Sequence, residues 1–197
     1  MRKVLILDTS ILCVWLQLPN FDTCGPDGET WDFARVKKKI DQEIANDSTL
    51  VLPLATIIET GNHISQCVRD RYRLAQKFAE LLIKSIDNTH PWAAFSEQGD
   101  LWTDDRLREL STKWPPLADA KISLGDATIT DIAEYYAKSG FEVEIFIGDV
   151  GLKAYEPKTP PLKPRRRKRK HETYLSFDSM YSFIPTCFLA HYTVDRI

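Results

Sequence analysis

An α/β fold built on a parallel sheet is what the sequence predicts, and three observations predict it. Val4-Leu5-Ile6-Leu7 is an apolar run without polar alternation, as expected of a strand buried on both faces. Two more short apolar runs, Leu50 to Leu54 and Val143 to Ile147, follow stretches of helical periodicity. Acidic residues close these runs or open the helices after them, in β-α-β-α order. With 197 residues, 43% of them hydrophobic, the chain can bury one full core.

Asp8-Thr9-Ser10 closes the first run. Ligands of open α/β sheets bind at the carboxyl ends of strands, so Asp8 is a candidate for chemistry there; it is also a good helix N-cap. Ile11 to Leu18 reads as a short helix or turn beneath that end, and Asn20 to Glu29, with Pro26, Asp27 and Gly28, as an irregular insertion. Thr30 is the expected cap of a helix beginning near Trp31, with Val36, Ile40 and Ile44 inward and Lys37 to Lys39 solvated.

Pro53 limits the second run. Thr56 is then the expected cap of a helix with Glu59 at capping-box spacing, and Asn62, three residues on, shares the face of Glu59 as a supporting residue. His63 has no second His or Cys at metal-binding spacing. Leu74, Phe78, Leu81, Leu82 and Ile86 mark another helix. Trp92 to Leu124 reads as a cap or lid packed by its own aromatics, with a helical piece near Arg106 to Leu110. Asp126 opens a helix that buries Ile129, Ile132, Ala133 and Tyr136, and Gly140 ends it. Asp131 lies roughly 140° around that helix from Asp126 and is expected on its polar face. The third run stops at Gly148-Asp149, repeating the first; a turn residue is the alternative role for Asp149.

No apolar run reaches the length of a membrane span, and Met1-Arg2-Lys3 with four apolar residues is too short for a signal peptide, so an intracellular, cytoplasmic protein is expected. Cys13, Cys24, Cys67 and Cys187 form no C-x-x-C pair, which argues against a zinc site and a disulfide framework. Net charge is −2, but eight basic residues and no acid fall between Lys158 and His171, leaving 18 basic against 28 acidic residues elsewhere. An acidic body with one basic stretch suggests a polyanionic partner touched mainly at one place.

Asp8, Glu59, Asp126 and Asp149 would gather on one edge of the predicted sheet. Clustered carboxylates repel unless cations neutralise them, and an acid-only site without His or Cys points to Mg²⁺ or Mn²⁺. A hard cation held there can deprotonate a water and hold a phosphate, which is the chemistry of phosphodiester hydrolysis.

The ordered set Leu7-Asp8-Thr9-Ser10, Ile58-Glu59, Asp126-Ala127-Thr128-Ile129 with Ala133, and Ile147-Gly148-Asp149 resembles the PIN-domain ribonuclease family, which includes the VapC-like toxins. Over residues 3–155 the resemblance implies a three-layer α/β/α sandwich around a central parallel sheet and an Mg²⁺/Mn²⁺-dependent, single-strand-selective cleavage of RNA; the leading expectation is an endoribonuclease acting on single-stranded or structured RNA. Asp8, Glu59, Asp126 and Asp149 match the acidic quartet, catalytic and metal-binding, and Ser10 the small polar residue that supports it. The expected organisation is a nuclease domain over 1–157, a basic Pro-rich linker or loop over 158–171, and a C-terminal strand over 172–197 packing back on the domain. A toxin or defence role, an inhibitor protein and self-association belong to the same expectation. Ile147 departs from the family's usual Thr or Ser two before the last acid. Two other classes stay open: a PIN-like module that binds RNA or protein without cutting, and, ranked last, a phosphotransferase or phosphatase with Asp8 as nucleophile, against which stands Ser10 where a second Asp is usual.

Arg165-Arg166-Arg167-Lys168-Arg169-Lys170 cannot pack in a core. As an RNA contact it would hold phosphates beside acids that otherwise repel them; the alternatives are a solvated tail and a localisation signal. Neutralising all six is expected to weaken RNA binding across sequences and to flatten its salt dependence without changing which bond is cut. Affinity measured against salt decides, and identical slopes would remove the contact.

Overall fold

The computed structural model describes residues 2–93, 95–148 and 150–158. In chain order the elements are β1 (Lys3–Leu7), α1 (Thr9–Leu16), β2 (Thr23–Cys24), β3 (Trp31–Asp32), α2 (Phe33–Ala45) and β4 (Thr49–Val51), then α3 (Leu54–Gln66), α4 (Arg71–Ile86), a 3-10 segment (Phe95–Trp102), α5 (Asp104–Asp119), α6 (Leu124–Lys138), β5 (Glu142–Phe146) and α7 (Val150–Lys153). The expected linker beyond Lys158 and the strand over 172–197 lie outside the described residues.

β1 is central in a parallel sheet of order β4-β1-β5, with Leu5 opposite Leu50 on one side and Glu144 on the other. Leu50 also bridges Trp92, through Leu50 N–H to Pro91 O at 2.7 Å and Ala93 N–H to Leu50 O at 2.9 Å, so residues 91–93 extend the sheet beyond β4.

The period-two geometry of β1 divides its side chains between two cores. Leu5 and Leu7 join Leu12 of α1, Val36 and Ile40 of α2, Ile64 of α3 and Leu74 and Phe78 of α4. Val4 and Ile6 join Ile129, Ile132 and Ala133 of α6 with Val143 and Ile145 of β5. Helices therefore cover both faces, as the unalternating apolar run requires. Val4, Leu5, Ile6 and Leu7 are all 0% exposed, each burial contributing about 1.5–3 kcal/mol before the entropy of ordering is subtracted.

Several boundaries differ from expectation for identifiable reasons. α2 is capped by Asp32, which accepts from Arg35 N–H at 2.8 Å, whereas the Thr30 carbonyl accepts from the Arg35 guanidinium. The insertion after α1 is not wholly irregular: β2 and β3 pair antiparallel within it. The stretch from 92 to 124 is largely helical, with α5 continuing through Pro115 and Pro116 despite two lost N–H donors. Trp114 holds the end of that helix by donating Nε1–H to Ile122 O at 3.2 Å, and Leu110 is buried beneath it. Among the described residues, no helix is long and apolar enough to cross a membrane.

Near the start of β1 an ion network joins Lys3 and Lys39 to Glu43 and Glu144 at 2.5–3.0 Å, and Ser48 donates to Glu43 at 2.7 Å. Burial opposes ionisation of Glu43, but hydrogen bonds from Lys3, Lys39 and Ser48 outweigh it and bring its carboxyl down to about 2. A carboxyl depressed on folding stabilises above its unfolded value and loses that contribution as pH falls toward the folded one. The stability gap between wild type and Glu43→Gln is therefore expected to be widest above about pH 5 and to close toward pH 2. Denaturant melts of both across that range test it, and a gap independent of pH would contradict the network.

Candidate functional site

A cleft of about 700 Å³ opens at the carboxyl ends of β1 and β5. Asp8, Glu59 and Asp126 all line it, with Thr9, Ser10, Phe21, His63, Lys121 and Gly148. Three acids from the end of β1, from α3 and from the first turn of α6 thus meet on one surface. Asp149 and the basic run 165–170 lie outside the described residues, although Gly148 and Gly151, which flank Asp149 in sequence, line the cleft.

Asp8 is 7% exposed and is the N-cap of α1, accepting from Ser10 N–H at 3.0 Å and from Ser10 Oγ–H at 2.6 Å. The capping role is therefore real and coexists with a place in the cleft. Ser10 Oγ also accepts from Gly148 N–H at 3.2 Å, so the expected supporting residue fastens the first acid to the exit of β5. Burial pushes the Asp8 carboxyl up from its ordinary value, the Ser10 and Thr9 hydrogen bonds oppose this, and the charge of Asp126 adds to it.

Glu59 is not a capping residue. α3 begins one turn earlier than expected, behind Pro53, and the Thr56 hydroxyl is spent inside, donating to Leu7 O at 2.9 Å. Glu59 Oε2 instead accepts from Thr9 Oγ–H at 2.7 Å, which joins the second acid to the residue after the first. Asn62 is exposed and does not line the cleft; its carbonyl accepts from Ser65. His63, four residues from Glu59, occupies the cleft-facing position expected for Asn62.

Asp126 sits at the third position of α6 in a capping box with Ser123: Asp126 N–H donates to Ser123 Oγ at 3.0 Å and Ser123 N–H to Asp126 Oδ2 at 3.2 Å. Asp131 lies away from the cleft, beside Arg106 and Glu134, as its angular position required. Phe21, Lys121, Thr9 and His63 were not singled out as site residues. The i, i+4 spacing of Glu59 and His63 could have found one of them, whereas nothing local marks Phe21 or Lys121.

Carboxylates with adjacent hydroxyls form a hard oxygen donor set of the kind that suits Mg²⁺, Mn²⁺ or Ca²⁺. Asp8, Glu59 and Asp126 are the side chains that could hold such an ion, and a buried Asp8 charge facing Asp126 would be relieved by one. Among the described residues no three His, Cys, Asp or Glu side chains stand as a ready-made metal group. One oxygen of each acid is turned to a neighbouring donor instead: Asp8 to Ser10, Glu59 to Thr9 and Asp126 to Ser123.

Comparisons with protein-family models, with curated proteins and with solved structures give no match.

The room for Glu59 depends on a missing side chain. A Cβ on Gly125 would fall 2.6 Å from Glu59 Oε1, closer than real atoms approach, while the nearest fixed neighbour, Ala55 Cβ, is at an ordinary 3.4 Å. Gly125→Ala is expected to leave the melting temperature unchanged or slightly raised, since alanine favours helix, while displacing the Glu59 carboxylate from Thr9. A melt and a crystal structure of the variant check both halves. Strong destabilisation with Glu59 in place would refute the steric account.

Proposed function

We propose that this chain is a metal-dependent endoribonuclease of the PIN type, hydrolysing RNA phosphodiester bonds with Asp8, Glu59, Asp126 and Asp149 holding Mg²⁺ or Mn²⁺. The observation that carries the reading is the convergence of Asp8, Glu59 and Asp126 on one cleft at the carboxyl end of a parallel sheet. The parallel sheet with helices on both faces agrees with the sandwich expected of that family. When bound, a divalent cation supplies an activated water and neutralises charge on the scissile phosphate.

The chain's own residues have distinct tasks in this scheme. Ser10 orients Asp8 and ties it to Gly148; Thr9 orients Glu59; the first turn of α6 presents Asp126. Asp8, whose ionised form is disfavoured by burial, would be relieved by a cation. A second reading is a PIN-like module that binds RNA or protein without cutting, and the capping box that occupies Asp126 favours it. A toxin or defence role, an inhibitor protein, self-association and a cytoplasmic location rest on the family resemblance and composition.

Asp8→Asn, Glu59→Gln and Asp126→Asn are each expected to lower Mn²⁺-dependent cleavage of labelled RNA by on the order of 100-fold or more while the fold persists. Asparagine keeps the N-cap of α1 and removes the buried charge, so in chelator Asp8→Asn should melt no lower than wild type. A carboxyl raised on folding opposes folding while ionised, so metal-free wild type should gain stability as pH falls through the folded value of Asp8, and Asp8→Asn should not. Mn²⁺ should raise the melting temperature of wild type and not of Asp8→Asn. Undiminished cleavage in all three variants sinks the nuclease site; RNA binding without metal-dependent products leaves the second reading.

A further inference from the structure

We infer that the cleft positions a nucleotide: Phe21 with His63 stacks one unpaired base, and Lys121, which lines the same cleft, pairs with a phosphate of the same strand. This rests on the nuclease reading and deepens it by naming residues outside the acidic set that would seat the strand.

Three observations carry it. Phe21 and His63 both line the cleft and meet edge to face, with ring centroids 4.8 Å apart and planes at 65°. Both are partly exposed, so the aromatic corner is open to a ligand. It is also fixed from two sides, His63 by α3 and Phe21 by its N–H donating to Leu18 O at 3.1 Å. The ring faces of this corner offer a base a sequence-tolerant stacking partner.

Lys121 is the single Lys or Arg among the described residues lining the cleft, and it is exposed there. Its backbone takes φ 64°, the left-handed position after α5, with Lys121 N–H to Ala118 O and Ile122 N–H to Leu117 O both at 2.9 Å. That is a Schellman ending, whose left-handed residue is usually glycine. Of the six described non-glycine residues with positive φ, Lys121 alone lines the cleft. Lysine at this position gives the turn a less suitable backbone residue than glycine and gives the cleft an ammonium. Its charge is the opposite of the acids', and it would draw the phosphate backbone over them.

The test uses the full chain with Asp8→Asn, so that nothing is cut, and single-stranded oligoribonucleotides carrying 2-aminopurine at successive positions. Anisotropy gives affinity, and quenching of 2-aminopurine reports stacking. One position, or two adjacent ones, should be quenched on binding. His63→Ala and Phe21→Leu, the latter retaining apolar volume on the core, should relieve that quenching and weaken binding on the order of tenfold. Lys121→Gly should hold or raise the melting temperature, weaken binding and reduce the salt slope by about one, while quenching at saturation persists. Binding with no position quenched, or quenching unchanged in both aromatic variants, overturns the stacking wall. An unchanged salt slope in Lys121→Gly overturns the phosphate contact, and no binding overturns both. Cleavage of unmodified RNA by wild type with Mn²⁺, scored in parallel, separates these failures from failure of the nuclease reading.

Discussion

Burial of β1 on both faces is the constraint from which the site follows. Four successive side chains without solvent exposure need a helical layer on each side, and the two cores, one built on Leu5 and Leu7 and the other on Val4 and Ile6, supply them. A strand held this way cannot shift register by one residue without exchanging its two sets of contacts. Its carboxyl end is therefore a fixed point, and Asp8 is the first residue past it. Thr56, wholly buried, donates to the last carbonyl of β1, so α3 is anchored to the same point and brings Glu59 with it.

Each acid of the cleft is held by a hydrogen bond to a neighbour, and for Asp8 burial and the charge of Asp126 oppose ionisation. Each is steadied by a donor near in sequence or space: the Ser10 hydroxyl for Asp8, the Thr9 hydroxyl for Glu59 and the Ser123 N–H for Asp126. Two of the three also close the amino terminus of a helix, where the positive end of the dipole favours negative charge. Helix initiation and charge accumulation thus share side chains. The ion network around Glu43 shows the contrasting solution, in which each carboxylate has a lysine and a depressed proton affinity. The cleft acids have uncharged donors instead, two hydroxyls and one backbone N–H, which orient a carboxylate without neutralising it.

The fold class was legible because Val4 to Leu7, Leu50 to Leu54 and Val143 to Ile147 carry their burial in composition, and the helix after Asp126 carries its own in periodicity. Capping was harder to read. Thr56 and Glu59 have capping-box spacing, yet α3 starts earlier because Pro53 suits the position before a helix and the Thr56 hydroxyl finds a buried carbonyl. The same spacing in Ser123 and Asp126 is a true capping box. Sequence distance alone cannot separate the two, since tertiary competition for the hydroxyl decides. The helical character of 104–119 was hidden by Pro115 and Pro116, whose local preference is overridden by Leu110 burial and the Trp114 bond. Phe21 and Lys121 were invisible as site residues because only the folding of two distant loops brings them to the cleft.

The contact between Gly148 and Cys24 links two features that look unrelated along the chain. A Cβ at position 148 would meet Cys24 Sγ at 2.7 Å and Gly25 N at 3.0 Å, so the β2–β3 hairpin rests directly on the backbone leaving β5. Gly148 N–H in turn donates to Ser10, which holds Asp8. The hairpin thus acts as a gauge on the acidic floor: its seating sets the height of the segment that leads into Asp149. A lengthened or shortened insertion between residues 20 and 30 would be transmitted through one glycine and one serine to the first carboxylate, so the length of a surface hairpin is geared to the placement of a buried charge.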